Sequence, residues 1–113
     1  MSEEEPWAAV GPAEVLTERG AVEDLSGERV FLHRAERIFA IGNRCTHQGA
    51  PLARGSVRAA GSLVTVTCPA HGSMFNLENG RVLRGPATRP VAANDVRLLE
   101  RSIELRRRKE DPQ

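Results

Sequence analysis

The sequence predicts an all-β domain of antiparallel strands. Short runs rich in Val, Ile, Leu and Phe alternate with turns that contain Gly, Pro or Asn, a pattern typical of antiparallel sheets. The pair Asn79-Gly80 separates two such runs, and both residues tolerate the positive φ that tight hairpins require. Only residues 13–16 could form a helical turn. At 113 residues, the chain has the length of one domain with its own core.

The predicted strands follow one another mainly as hairpins. Each is a run of β-branched, Leu or Phe residues that ends at a polar or glycine-containing turn. A first strand at 22–25 ends at Ser26-Gly27, and a polar tip at 34–37 joins the next two. Strand 63–67 is followed by a hairpin around the Asn79-Gly80 turn, and a final hairpin turns near Arg101-Ser102. In order, the predicted strands after the first are 30–32, 38–41, 63–67, 75–77, 81–83, 96–99 and 103–105.

Charge and hydropathy exclude several classes of protein. The formal net charge is +1, so no overall field favours nucleic acid. No apolar run approaches the roughly 20 residues of a membrane-spanning helix. The chain begins with acids, unlike a secretory leader. We expect flexible tails at 1–5 and 109–113. The basic run 106–109 is interpreted as a solvated, frayed end, although such a run could steer an acidic partner.

Two short segments contain both cysteines and two of the three histidines of the chain. They are Cys45-Thr46-His47 and Cys68-Pro69-Ala70-His71. Thiolate and neutral imidazole are the side chains that bind iron and zinc most readily. Both segments lie on connections between predicted strands, where a rigid scaffold commonly positions a site. With both cysteines assigned to a metal, none remains for a disulfide, which favours a reducing, cytoplasmic setting.

The residues around these segments resemble the cluster loops of Rieske iron–sulfur proteins. The two runs read CTHQGAPL from Cys45 and CPAHGSMF from Cys68. In that family two Cys hold one iron of a [2Fe–2S] cluster and two His hold the other. The resemblance runs from about residue 7 to residue 105. It implies one such cluster, with Cys45, His47, Cys68 and His71 as its metal ligands.

The resemblance also implies an architecture. A cluster-binding lobe at about 43–87 is expected to be inserted in an antiparallel β sandwich or barrel base at about 6–42 and 88–108. Gly85-Pro86 matches a third loop that covers the cluster in the family. Gly49 and Gly72 are expected to let the backbone approach the cluster and to offer N–H donors to its sulfides. The spacer is longer than usual, so 56–62 is interpreted as a hairpin tip near the cluster.

The ligand set has an electrostatic consequence. An oxidised [2Fe–2S] core carries two positive charges, so two thiolates bring the site to zero and reduction brings it to minus one. Histidine ligation therefore raises the potential relative to a four-thiolate site. Respiratory Rieske subunits have a disulfide at positions that are Ala50 and Ala70 here, and a tyrosine in place of Phe75. Ser73 keeps its hydroxyl. Fewer donors to the sulfurs predict a potential toward the low end of the Rieske range.

The function implied by the resemblance is that of a soluble one-electron carrier. It would pass electrons from a flavin-dependent reductase to a terminal oxygenase, such as an aromatic-ring hydroxylating dioxygenase. Partners would dock transiently at the tip that carries His47 and His71, and a monomer is sufficient. Only His33 remains as a further histidine, too few for the two-His mononuclear iron of an oxygenase. His33 itself is predicted to be an exposed strand residue.

Other functions are less compatible with the residues. No glycine-rich loop joins a strand to a helix, so nucleotide or flavin binding is not predicted, and neither thiol is free for catalysis. Glu28, Glu36 and Glu78 lie at turns and are interpreted as solubilising. An alternative within the family is a Rieske-type small subunit of an assimilatory nitrite reductase or another resident redox complex. A structural Cys₂His₂ zinc module is a third interpretation.

Overall fold

Two antiparallel sheets make up the protein, in agreement with the all-β fold class. The computed structural model describes residues 6–16, 18–24, 27–34 and 37–108, so the predicted tails and residues 17, 25, 26, 35 and 36 lie outside the described residues. Two single-turn 3₁₀ helices, Ala13–Val15 and Leu52–Arg54, accompany the strands. The strands are β1 Ala8–Pro12, β2 Arg19–Glu23, β3 Arg29–Arg34, β4 Ile38–Gly42, β5 Ser56–Ala60, β6 Leu63–Thr67, β7 Met74–Asn76, β8 Val82–Arg84, β9 Ala93–Leu99 and β10 Ser102–Arg107.

All strands of the smaller sheet come between two strands of the larger sheet in the sequence. The larger sheet has the strand order β1-β10-β9-β4-β3-β2, and the smaller sheet has the order β5-β6-β7-β8. Strands β4 and β9 pair directly, with Ile41 opposite Ala93. The chain therefore leaves the larger sheet after β4, builds the whole smaller sheet, and returns beside its point of departure. Within the described residues, no helix has the length and apolar character needed to cross a bilayer.

Several strand boundaries differ from the sequence prediction. Strand β2 begins at Arg19, three residues before the predicted start. Strand β1 was not predicted, because Gly11 and Pro12 are poor strand formers; they are accommodated at the edge of the sheet, where β1 has an irregular register. The final hairpin turns at Glu100 and Arg101, both with positive φ, instead of at 101–102.

The interpretation of 56–62 as a tip near the cluster is wrong. Residues Ser56–Ala60 form the strand β5, which pairs along its full length with β6. Ser56 lies opposite Thr67, next to Cys68, whereas the tip at Gly61 and Ser62 lies at the other end of the hairpin. Five strand residues span roughly 16 Å. The extra residues therefore lengthen the hairpin away from the ligand loops. The Ala-rich sequence of β5 has little β propensity, which is why the sequence did not predict this strand.

The central strands of the larger sheet, β3 and β4, are buried on both faces. On β3, Phe31 packs into a core shared with the smaller sheet, while Val30 and Leu32 pack into a second core that includes Leu16 and Ile103. All four central residues of β3 are buried as a result. The shared core also contains both cysteines and side chains from the smaller sheet. Its buried members are Phe31, Phe39, Ile41, Cys45, Leu52, Val66, Cys68, Phe75, Leu77, Ala87 and Val91.

This two-sided burial corrects the prediction for His33. The side chain is 8% exposed, not solvent-facing, and its ring lies between Phe31 and Phe39 with centroids 6.4 and 6.5 Å away. Its Nδ1 is buried without a hydrogen-bond partner in the described part of the chain. Burial, reinforced by the nearby Arg19 cation and only partly offset by Glu18, lowers the pKa of His33. The imidazole is thus a neutral core residue at neutral pH.

The basic run near the C-terminus is only partly the frayed end that the sequence predicts. Arg106 and Arg107 belong to β10. Arg106 Nη2 lies 2.9 Å from an oxygen of Asp95, and Arg108 Nε lies 2.8 Å from the other oxygen. Burial raises the pKa of Asp95, but hydrogen bonds from Arg108 and Arg106 outweigh it and hold that pKa below its ordinary value. Arg108 also donates to the carbonyl of Glu78, which ties β10 to the smaller sheet.

We expect His33→Phe to remove a pH-dependent part of the stability. Because the folded pKa of His33 is lowered, the unfolded chain binds a proton more readily below its ordinary pKa of about 6.5. The stability that neutral His33 provides is complete above that value and declines as the pH falls toward the folded pKa. The unfolding temperature of the natural protein should therefore drop more between about pH 7.5 and about pH 5.5 than that of the variant. An equal drop in both proteins would contradict this account.

Candidate metal centre

The two predicted ligand loops are closed by the same backbone hydrogen bonds. In each loop the cysteine N–H donates to the carbonyl five residues later, and the N–H four residues later donates back to the cysteine carbonyl. The bonds are Cys45 to Ala50 (2.9 Å) and Gly49 to Cys45 (2.7 Å) in the first loop, and Cys68 to Ser73 (2.7 Å) and Gly72 to Cys68 (3.2 Å) in the second. Both segments thus fold as matched turns, although the histidine is two residues after Cys45 and three after Cys68.

Each turn ends at a glycine with a left-handed backbone. Gly49 has a φ of +80° and Gly72 a φ of +81°, a conformation that other residues rarely adopt. Their N–H groups are used within the turns, as donors to Cys45 and Cys68. That these N–H groups are also donors to cluster sulfides stays a prediction. The glycines are required for the backbone conformation that closes the loops.

The sulfurs and imidazoles face different environments. Cys45 and Cys68 are each 3% exposed, are not in a disulfide and belong to the core shared by the two sheets. His47 and His71 are exposed, and their rings meet edge to face with centroids 5.1 Å apart. That separation is compatible with both rings bonding one metal ion. The donor set of two buried thiols and two adjacent exposed imidazoles fits a cluster whose irons have unlike ligands.

The described residues contain no group of three or more His, Cys, Asp or Glu side chains close enough to hold a single metal ion. A two-iron cluster divides its four ligands between two metals, so its ligands need not converge on one point. His33 is buried in the larger sheet between Phe31 and Phe39, apart from the ligand loops.

Three residues that the sequence did not single out hold the first loop in place. Asn43 Oδ1 accepts the N–H of Ala53 at 2.8 Å, and the Asn43 carbonyl accepts the N–H of Leu52 at 2.6 Å. Arg19, from β2, donates to the carbonyls of Ala53 and Gly55 at 3.0 and 2.8 Å. Gly55 packs directly against the backbone of Thr67, the residue before Cys68. A single sequence gives no signal for these roles, because Asn, Arg and Gly are ordinary turn and surface residues.

The third predicted loop contacts both ligand loops. The N–H of Ala87 donates to the hydroxyl of Ser73 at 2.9 Å, and the hydroxyl of Thr46 donates to the carbonyl of Arg89 at 2.6 Å. Ser73 and Ala87 are buried, while Gly85 and Pro86 are exposed. Because Ser73 accepts the bond from Ala87, its own hydroxyl proton remains available to a further acceptor.

Solved structures share the whole fold. The ferredoxin of carbazole 1,9a-dioxygenase from Nocardioides aromaticivorans has a TM-score of 0.73 and 27% identity, over 89% of this chain and 97% of that one. A protein described as the small subunit of an NADH-dependent nitrite reductase of Mycobacterium tuberculosis has a TM-score of 0.77, over 96% and 100% of the two chains. At 24% identity, that second likeness shows the fold alone. The fold and the two loops define the class of protein, a small all-β domain of the kind found in the dioxygenase ferredoxin.

The family model described as the Rieske [2Fe-2S] domain matches residues 6–98, and the chain belongs to this family. The 3-phenylpropionate/cinnamic acid dioxygenase ferredoxin subunit of Photorhabdus laumondii is 32% identical over 73 residues, 65% of this chain and 67% of that protein. The subunit of the same name from Shigella flexneri is 35% identical over 61 residues, 54% and 55% of the two chains. The matches thus span between half and two-thirds of these relatives.

We expect Gly55→Ala to destabilise the protein and to disturb the second ligand loop. The added Cβ would collide with the carbonyl oxygen of Thr67, which is backbone and cannot move aside locally. Overpacking of this kind costs about 1–3 kcal/mol. Gly42→Ala is the matched control, because its Cβ would meet ordinary contacts of 3.7 Å or more. Thermal unfolding should show a much larger decrease for Gly55→Ala; equal decreases would exclude this role for Gly55.

Proposed function

We propose that this chain is a one-electron carrier that binds one [2Fe–2S] cluster through Cys45, Cys68, His47 and His71. The observation that carries the proposal is the pair of matched turns, which bury both sulfurs and expose both imidazoles side by side. The cysteines would hold the inner iron and the histidines the outer iron. The cluster, when bound, supplies one-electron redox chemistry; the protein supplies its position, its surroundings and its contact with solvent.

The structure of the loops suits electron transfer. Rigid surroundings reduce the rearrangement that accompanies a change of charge. Both turns are closed internally, and Ala87 and Thr46 tie them to a third segment of chain. The exposed imidazoles of His47 and His71 provide the shortest path from the site to a docked partner, since both cysteines are enclosed by the core.

The proposed donor is a flavin-dependent reductase, and the proposed acceptor is a terminal oxygenase such as an aromatic-ring hydroxylating dioxygenase. Support comes from relatives that are named as ferredoxin subunits of dioxygenase systems. Docking at the His47/His71 tip would be transient and involve a small interface, as is usual for redox encounters. A monomeric protein in the cytoplasm is part of this proposal, and both cysteines are free of disulfides as that setting requires.

The ligand assignment predicts a spectroscopic loss. We expect His47→Ala and His71→Ala each to abolish the absorption spectrum of the cluster, because each removes a ligand of the outer iron. The natural protein should be red-brown and contain acid-labile sulfide, whereas a zinc module would be colourless and contain none. His33→Ala is the matched control and should keep the spectrum. An unchanged spectrum in a His47→Ala, His71→Ala double variant would refute the assignment.

The surroundings of the site predict its potential. Phe75 is fully buried beside the second loop and brings no hydroxyl, while Ser73 retains one. With few donors to the sulfurs, we expect a potential toward the low end of the range of roughly −150 to +300 mV. Phe75→Tyr should raise the potential, and Phe39→Tyr, a buried phenylalanine of the base, should leave it unchanged. Protein-film voltammetry measures both; a natural potential well above zero would contradict the expectation.

A second candidate function is that of a resident small subunit of a nitrite reductase or another redox complex. The observation that favours it is the shared fold with the M. tuberculosis protein, which covers nearly all of both chains. Both functions use the same cluster, so the spectrum does not separate them. Gel filtration of native lysate does: a carrier elutes alone, whereas a resident subunit elutes with its complex.

A further inference from the structure

Charge is distributed unevenly between the two parts of the protein. Residues 43–90, which include both ligand loops and the smaller sheet, contain six arginines and one glutamate, a net charge of +5. The other residues contain ten basic and fourteen acidic side chains, a net charge of −4. The overall value of +1 therefore hides two regions of opposite sign. Such a distribution orients a protein as it approaches a charged surface.

Three of these arginines contact the two ligand loops. Arg84 Nε donates to the carbonyl of Gly72 in the second loop at 3.3 Å. The Arg44 guanidinium lies over Gly49 of the first loop, 3.8 Å from where a Cβ would stand. The Arg89 backbone accepts the hydroxyl of Thr46. We call Arg44, Arg84 and Arg89 the basic rim; all three are exposed and, among the described residues, none pairs with a carboxylate.

The acids of the described residues do not neutralise the basic rim. Glu78, the one acid of this region, pairs with Arg37 at 3.2 Å in the turn between β7 and β8. Asp24 and Glu28 line a cleft with Arg44, but Arg29 and Arg107 line the same cleft and balance them. Glu78, Asp24 and Glu28 thus have arginine neighbours outside the basic rim.

The basic C-terminal run does not provide an equivalent surface within the described residues. Arg106 and Arg108 share the carboxylate of Asp95, and Arg108 also binds the Glu78 carbonyl. Among the described residues, Arg106 and Arg108 are therefore paired with a carboxylate, whereas no arginine of the basic rim is.

We propose that the basic rim is a docking face for an acidic protein surface. The inference rests on the proposed function, since passing an electron through His47 and His71 requires a partner protein to cover them. Pro69, Ala70 and Pro86 are exposed and adjoin the second ligand loop or the third segment, so this face combines apolar and basic residues, the composition of a transient protein interface. An extended polyanion is disfavoured as the partner, because it would also approach the remainder of the chain, whose net charge of −4 would repel it.

The first test uses binding and does not depend on electron transfer. A fluorescein-labelled decaglutamate peptide should bind the purified holoprotein at low ionic strength and dissociate as salt is added, as fluorescence anisotropy would show. The variant R44E/R89E should lose at least about tenfold in affinity, because it reverses the charge of two rim residues. Neither side chain has a hydrogen bond among the described residues, so the variant should fold. R34E/R101E, with the same charge change at the end of β3 and in the turn between β9 and β10, is the matched control and should bind nearly as the natural protein does.

The second test measures electron transfer from the reduced holoprotein. One electron leaves the protein and reduces the trianion ferricyanide to ferrocyanide, or reduces the trication tris(phenanthroline)cobalt(III) to cobalt(II). The rate with ferricyanide should fall with added salt and be about tenfold lower in R44E/R89E. The rate with the cobalt complex should rise with salt. Stopped-flow absorbance records both reactions, and R89E alone serves if the double variant fails to fold.

The outcomes separate this inference from the proposed function. Equal peptide binding by R44E/R89E and R34E/R101E, or salt effects of the opposite sign, would overturn the docking face. Equally tight binding of duplex DNA or phosphatidylserine vesicles, lost in the same variant, would overturn an acidic protein as the partner. A protein without acid-labile sulfide would instead overturn the carrier function, and the peptide measurement would still decide whether the basic rim binds acidic chains.

Discussion

The burial of two cysteines at the junction of two sheets is the constraint on which the structure depends. Cys45 and Cys68 lie in the same core as Phe31 and Phe75, so their loops must enter the space between the sheets and leave it again within six residues. A turn that tight requires a left-handed residue, which explains a glycine four positions after each cysteine. The histidines, displaced by two or three positions, then lie on the outer surface of the turns.

This arrangement fixes the sulfurs in the core and leaves the imidazoles exposed, within a few residues of one another. The core fixes the sulfurs, because moving either loop would disrupt the packing of both sheets. Among the four predicted ligands, His47 and His71 are exposed to solvent and the cysteines are not. The larger sheet contributes by packing one face against the ligand loops and the other face against Leu16, Ile103 and Leu105. A metal centre placed in this way gains rigidity from a core that the domain needs for stability in any case.

The paired turns and the third segment form one unit. Ser73 joins the second loop to Ala87, and Thr46 joins the first loop to Arg89, so a single stretch of chain after β8 connects both halves of the site. The same stretch brings Arg89 to the surface, in contact with Thr46 of the first loop. Site geometry and surface charge therefore share a structural cause, since the segment that stabilises the loops also supplies part of the basic rim.

The sequence by itself determined the features that depend on neighbouring residues. The Cys-His loops, the Asn79-Gly80 hairpin and strand β6 follow from local composition, and the all-β class follows from their repetition. Tertiary structure decided what depends on distant residues. His33 is buried because both faces of its sheet are covered, β5 forms because β6 offers it backbone partners, and Gly55 matters because Thr67 approaches it. Such contacts join segments far apart in the chain, and one sequence carries no local signal for them.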